Sequence, residues 1–110
     1  MKKNLITIDG TLEPLLQLQI AILEKGRRAD PVEIRISRID AVREYIDCHS
    51  PLCEAGGFSL GDLLRELIRN RQTEFIGTSF CIGEEQVHPE VPETRACRTR
   101  FDVRASLRFR

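Results

Sequence analysis

The most regular pattern of apolar and polar positions lies at the C-terminal end of the chain. Odd positions read Cys97, Thr99, Phe101, Val103, Ala105, Leu107 and Phe109, and even positions read Arg98, Arg100, Asp102, Arg104, Ser106, Arg108 and Arg110. A period of two sends successive side chains to opposite faces of a strand. Residues 95–109 are therefore predicted as a strand with one apolar and one charged face. Fifteen residues is long beside the usual five or six, so a bend divides the strand or its end, residues 105–110, overhangs its partner. A second strand is predicted over 74–82, and the two form an antiparallel hairpin around a polar loop. A symmetric register sets Cys81 opposite Cys97, Phe75 opposite Val103 and Glu74 opposite Arg104. The parity of that register is better determined than its offset, because a one-residue slip would turn the apolar row to solvent.

Upstream, a short strand over 4–8 stops at Asp9-Gly10. Thr11 is an N-cap for a helix that runs to Gly26. Leu12, Leu15, Leu16, Leu18, Ile20, Ile22 and Leu23 fill most of the circumference of that helix, so it is expected to be covered on more than one side. Val32, Ile34 and Ile36 alternate with Glu33 and Arg35 in a strand over 32–37. Strand, helix and strand in this order fit a βαβ unit. Ser37 caps a second helix with Ile39, Val42 and Ile46 inward, residues 48–58 read as loop, and Ser59 with Asp62 caps a third helix that carries Leu60, Leu63, Leu64, Leu67 and Ile68 and ends at Asn70. The expected fold is thus a single α+β domain over residues 1–110, in the order β-α-β-α-α-β-β, with a βαβ-like N-terminal half and a C-terminal antiparallel hairpin.

Composition changes this picture little. The 110 residues are 41% hydrophobic and 31% charged, with 17 basic and 17 acidic side chains. The balance gives no global pull toward nucleic acid or anionic membrane. It conceals an asymmetry: Glu74, Glu84, Glu85, Glu90 and Glu93 precede Arg95, Arg98, Arg100, Arg104, Arg108 and Arg110, and the two groups are expected to neutralise each other across neighbouring elements. The apolar stretch after Lys2 and Lys3 is too short for a secretory leader, and nothing reaches the length of a membrane span. A cytoplasmic location is expected, with no membrane contact and with the four cysteines as free thiols.

Arg98, Arg100, Arg104 and Arg108 are the candidate partner-binding residues, since a linear row of guanidinium groups recognises carboxylates or phosphates. An acidic protein partner is preferred to nucleic acid, because Phe101 and Phe109 fall on the opposite face and cannot stack bases there. Cys48, His49 and Cys53 share one loop, while Cys81, His88 and Cys97 flank another. Zinc needs about four thiolate or imidazole ligands in a tetrahedron. The spacing C-H-x3-C is not a standard knuckle, and Cys81 and Cys97 read more simply as core residues of a hairpin. Cys48, His49 and Cys53 therefore stay secondary metal candidates, and no cofactor is assigned. A cysteine nucleophile could draw on His49 or His88 and on Asp47 or Glu54, yet two histidines supply few players for acid–base chemistry, and no catalytic residue is assigned. The glycine-bearing stretch 56–61 matches no phosphate-cradling pattern, and Asp62 would repel an anion there. The expected function is that of a non-enzymatic accessory or regulatory protein, homodimeric, offering its arginine-lined strand to an acidic partner. The alternatives are a nucleic-acid binder using the same face and a small-molecule- or metal-dependent enzyme with its site in the 47–59 loop.

Overall fold

The computed structural model describes residues 8, 10–26, 31–50, 53–54, 56–86, 90 and 93–110. A four-stranded antiparallel sheet organises them, with the strands side by side in the order Val32–Ile36, Leu15–Lys25, Arg100–Phe109, Glu74–Phe80. Its strands are β1 (Leu15–Lys25), β2 (Val32–Ile36), β6 (Glu74–Phe80) and β9 (Arg100–Phe109). Between β2 and β6 the chain forms a 3-10 turn over Ile39–Ala41, the short strands β3 (Tyr45–Asp47), β4 (Cys53–Glu54) and β5 (Gly57–Ser59), and the helix α1 (Leu60–Arg69). Strands β7 (Glu84–Gln86) and β8 (Thr94–Ala96) lie between β6 and β9. β3 pairs with β5, and β4, β7 and β8 make a third small sheet.

This architecture overturns the expected α+β fold. Among the described residues 52% are strand and 15% helical, with one α-helix. The helix expected to start at Thr11 is β1, which has Leu18, Ile20 and Ile22 buried while Gln17 and Gln19 are exposed. Apolar residues all around a helical wheel were in fact a strand alternation with Leu16, Ala21 and Leu23 on the outer face. Leu, Gln and Glu are good helix formers, but propensity yields to tertiary context, and the long ladder to β9, from Leu15↔Phe109 to Lys25↔Arg100, outweighs that preference. The N-terminal half is not βαβ, because β1 and β2 are antiparallel neighbours joined by a short connection. The second expected helix is reduced to the 3-10 turn, after which Ile46 enters β3. The strand placed at 4–8 lies outside the described residues except for Ile8.

The C-terminal readings fare better. β6 and β9 are antiparallel, with Phe75 opposite Ala105 and Glu74 opposite Ser106. The register differs by two residues from the symmetric one, and the parity is as expected. The long alternating segment is divided into β8 and β9. Its end does not overhang: Ala105, Ser106, Leu107 and Arg108 pair with β1, and the Arg110 N–H reaches Pro14 O at 3.0 Å. The expected neutralisation is partial, through Arg95 on Glu85 at 2.8 Å, while Arg100 turns to Asp102.

One face of the sheet is covered. Leu15, Leu18, Ile22, Phe101, Val103 and Leu107 share a buried cluster with Leu60, Leu64 and Leu67 of α1 and with Phe58, whose ring lies 4.9 Å from that of Phe101. The Ser59 hydroxyl accepts the Asp62 N–H and caps α1. At the other end Arg71 takes φ 49°, and the N–H groups of Arg71 and Gln72 close on Ile68 O and Leu67 O, a Schellman ending. The opposite sheet face is open and carries Arg100, Arg104 and Arg108.

Candidate metal centre

The ends of four short segments deliver the four cysteines to one point. Cys48 follows β3, Cys53 opens β4, Cys81 follows β6 and Cys97 follows β8. Each is held by its backbone. Cys48 N–H donates to Gly56 O at 3.4 Å and Cys53 N–H to Ser50 O at 3.1 Å. Cys81 N–H donates to Thr99 O and Cys97 N–H to Gly83 O, both at 3.0 Å. The small sheet β4-β7-β8 folds the 84–96 hairpin back so that Cys81 and Cys97 meet the loop holding Cys48 and Cys53.

The four Sγ atoms all lie within 4.8 Å of one another. Cys53 and Cys81 are 3.5 Å apart and Cys48 and Cys97 3.8 Å apart, and none of the four forms a disulfide. Four sulfurs placed tetrahedrally at a zinc–sulfur distance of about 2.3 Å are about 3.8 Å apart. The cluster therefore has the size of a mononuclear tetrathiolate site. An iron–sulfur cluster interposes sulfides between its irons and would hold cysteines of different irons farther apart.

The surroundings are those of a thiolate site. Gly57 N–H points at Cys81 Sγ at 3.1 Å, Gly83 N–H at the same sulfur at 3.4 Å and Ser50 N–H at Cys48 Sγ at 3.5 Å. Such donors stabilise negative sulfur and orient it. Gly57 has φ 124°, and a Cβ there would stand 1.9 Å from Ile46 O, so glycine alone brings this amide up to the sulfur. Gly56 forms the wall beside it: a Cβ at this position would lie 2.1 Å from Cys53 Sγ and 2.6 Å from Cys81 Sγ. The hydroxyl of Ser50 is buried without a hydrogen-bond partner among the described residues.

Electrostatics give the same picture. Burial pushes the Cys48 thiol up to about 11, with hydrogen bonds from Thr99 and Ser50 opposing it. Burial and the neighbouring sulfurs push Cys53 far higher still. Burial also acts on Cys97, but hydrogen bonds from Thr99 and from its cysteine neighbours prevail and lower it. Burial thus disfavours thiolates at Cys48 and Cys53, and several thiolates this close need a compensating positive charge. A divalent ion supplies that charge and displaces the protons.

His49 does not join the cluster. Its backbone N–H and its Nδ1 both lie 2.8 Å from carboxylate oxygens of Glu24, which is buried on β1. The ring is thereby turned to Glu24. His88 lies outside the described residues. Of the metal candidates read from the sequence, the structure brings Cys48 and Cys53 together, leaves out His49, and adds Cys81 and Cys97. The latter pair is indeed buried, and it is buried against sulfur. The available signal was the count of four cysteines with glycines beside both loops; the spacings of C-x4-C and C-x15-C hid it. Arg98 is exposed just before β9, while Arg100, Arg104 and Arg108 stand on the open face. No family model, curated protein or solved structure matches the chain.

Proposed function

We propose that this chain is a zinc-stapled, non-catalytic interaction module, in which Cys48, Cys53, Cys81 and Cys97 hold one zinc ion and the open sheet face meets an acidic partner. The observation that carries the zinc reading is the approach of all four sulfurs to within 4.8 Å. A tetrathiolate site is closed: every coordination position is filled by protein, which suits a structural ion and leaves no position for substrate. The staple would tie the β4-β7-β8 sheet to the end of β6, where Thr99 connects it to β9. A reducing compartment such as the cytoplasm keeps these thiols available, and no described helix is long and apolar enough to cross a membrane.

The test is elemental analysis of purified protein with cobalt substitution. One zinc per chain, and cobalt spectra of a tetrahedral tetrathiolate, support the reading. Four thiols that react freely in folded protein purified with zinc present would refute it; bound iron would make the same site a redox centre.

For the interaction role, the double variant R100E/R104E should lose capture of an acidic partner while retaining zinc. Unchanged capture would remove the arginine row from the interface. One observation favours nucleic acid as a second reading. Phe80 is exposed on the open face, directly opposite Arg100 in the ladder, a pairing suited to base stacking. That reading requires a gel shift that weakens steeply with salt.

A further inference from the structure

The edge strand β6 carries an open row of backbone groups, and the geometry points to a second copy of this chain as its occupant. Thr73 O accepts the Leu107 N–H at 2.7 Å, and Cys81 N–H donates to Thr99 O at 3.0 Å. Odd residues of β6 therefore direct their backbone groups to β9, and even residues direct theirs outward. At one end of the strand Glu74 O is taken by the Gln72 side chain at 2.8 Å. Beyond the other end Ile82 N–H is taken by Gly57 O at 2.9 Å. Between them Ile76, Thr78 and Phe80 present N–H and C=O groups with no partner among the described residues.

The side chains of the same three residues stand on the open face. Ile76 is 76% exposed and Phe80 66% exposed. Exposed edges are normally blunted by lysine, proline or a bulge; residues 74–80 contain no lysine, arginine or proline, and their ladder to β9 has no irregularity.

The strand is complementary to itself. Set antiparallel to a second copy about Thr78, each Ile76 faces Phe80 of the other copy and the two Thr78 residues face each other. All of these are outward-directed positions, so each facing pair exchanges two hydrogen bonds and every open group of the row is closed. The apolar side chains meet on one face around a threonine pair, a favourable set of cross-strand neighbours. The arginines do not oppose this union. Arg104 lies beside Ile76 and Arg100 beside Phe80 on β9, so across the joint the two copies' arginines are three strand spacings apart, about 14 Å. That exceeds the screening length of about 8 Å at physiological salt. The result is a continuous eight-stranded sheet with closed twofold symmetry. Only two edges touch, so the interface is small and the dimer dissociates on dilution. The dimer is a partner for the interaction module proposed above and is independent of its zinc.

Sedimentation velocity on the zinc-loaded full chain, over a wide concentration range, tests this. The wild type should pass from monomer to dimer. Ile76→Lys places a charge on the joint, and Thr78→Pro removes an outward N–H that β9 does not use. Each should weaken dimerisation about tenfold or more, with circular dichroism and zinc content unchanged. A wild type that stays monomeric throughout, or a dimer that survives both substitutions, overturns the proposal. Zinc content measured on the same samples keeps that failure distinct from failure of the metal reading.

Discussion

Gly56→Ala separates a metal centre from a mere packing of thiols. The added Cβ would stand 2.1 Å from Cys53 Sγ and 2.6 Å from Cys81 Sγ, where ordinary contact begins at 3.4 Å. Its φ is not in the left-handed region, so the backbone tolerates alanine and the conflict is with the sulfurs. As free thiols, Cys53 and Cys81 can turn about χ1 and let the methyl in at small cost. As zinc ligands they cannot, because the Cys53 sulfur would have to retreat by about 1.3 Å and metal–ligand distances tolerate only about 0.2 Å. Changes that touch ligand positioning alone cost roughly 10–100-fold in affinity, and this one displaces ligands, so a loss of about 100-fold is expected, or about 2.7 kcal/mol. At free zinc about a thousand times the wild-type Kd, binding stabilises the wild type by about 4 kcal/mol and the variant by about 1.4 kcal/mol. For a domain of this size the gap corresponds to roughly 10–20 °C in Tm. The assay is zinc competition against a chromophoric chelator, with thermal melts in zinc and in chelator. The two proteins should melt far apart in zinc and close together in chelator. Equal zinc affinities, or the same gap in both conditions, would refute the reasoning.

Three further outcomes follow from the same geometry. His49→Ala should retain one zinc per chain yet lose about 1–3 kcal/mol in urea unfolding, since it strips a hydrogen bond from the buried Glu24 and leaves that oxygen unpaired; loss of zinc would return His49 to the ligand set. Burial tends to raise the Asp102 carboxyl, but bonds from Lys25 and Thr78 and the nearby Arg100 lower it below the ordinary 3.8. The stability it contributes is present in full above pH 3.8 and is lost as pH falls through the lower native value. Melts of Asp102→Asn against wild type should therefore differ at neutral pH and converge in acid. Ser59→Ala removes the cap on Asp62 N–H and should cost about 1 kcal/mol in chemical unfolding without changing zinc content; no loss would mean that α1 is held by packing alone.

What the chain announced by itself is what local pattern encodes. β9 was legible because strict alternation has one consistent reading, and α1 because Ser59, Asp62 and the leucines at helical spacing agree with one another. The parity of β6 on β9 followed from burial, since the apolar row of β9 can face only one way. The offset did not, because a two-residue slip preserves burial and only the return of Thr99 to Cys81 and of Thr73 to Leu107 selects it. β1 was misread because its leucines and isoleucines satisfy a buried helix and a strand equally well. Only the long-range ladder to β9 decides between them, and no local window contains it. The metal centre is the extreme case. Cys48, Cys53, Cys81 and Cys97 stand at spacings that match no knuckle, and Cys81 and Cys97 behave in sequence like small apolar core residues. Their chemistry appears only when the β4-β7-β8 sheet closes and sulfur meets sulfur, since coordination depends on distances in space that residue spacing along this chain does not set.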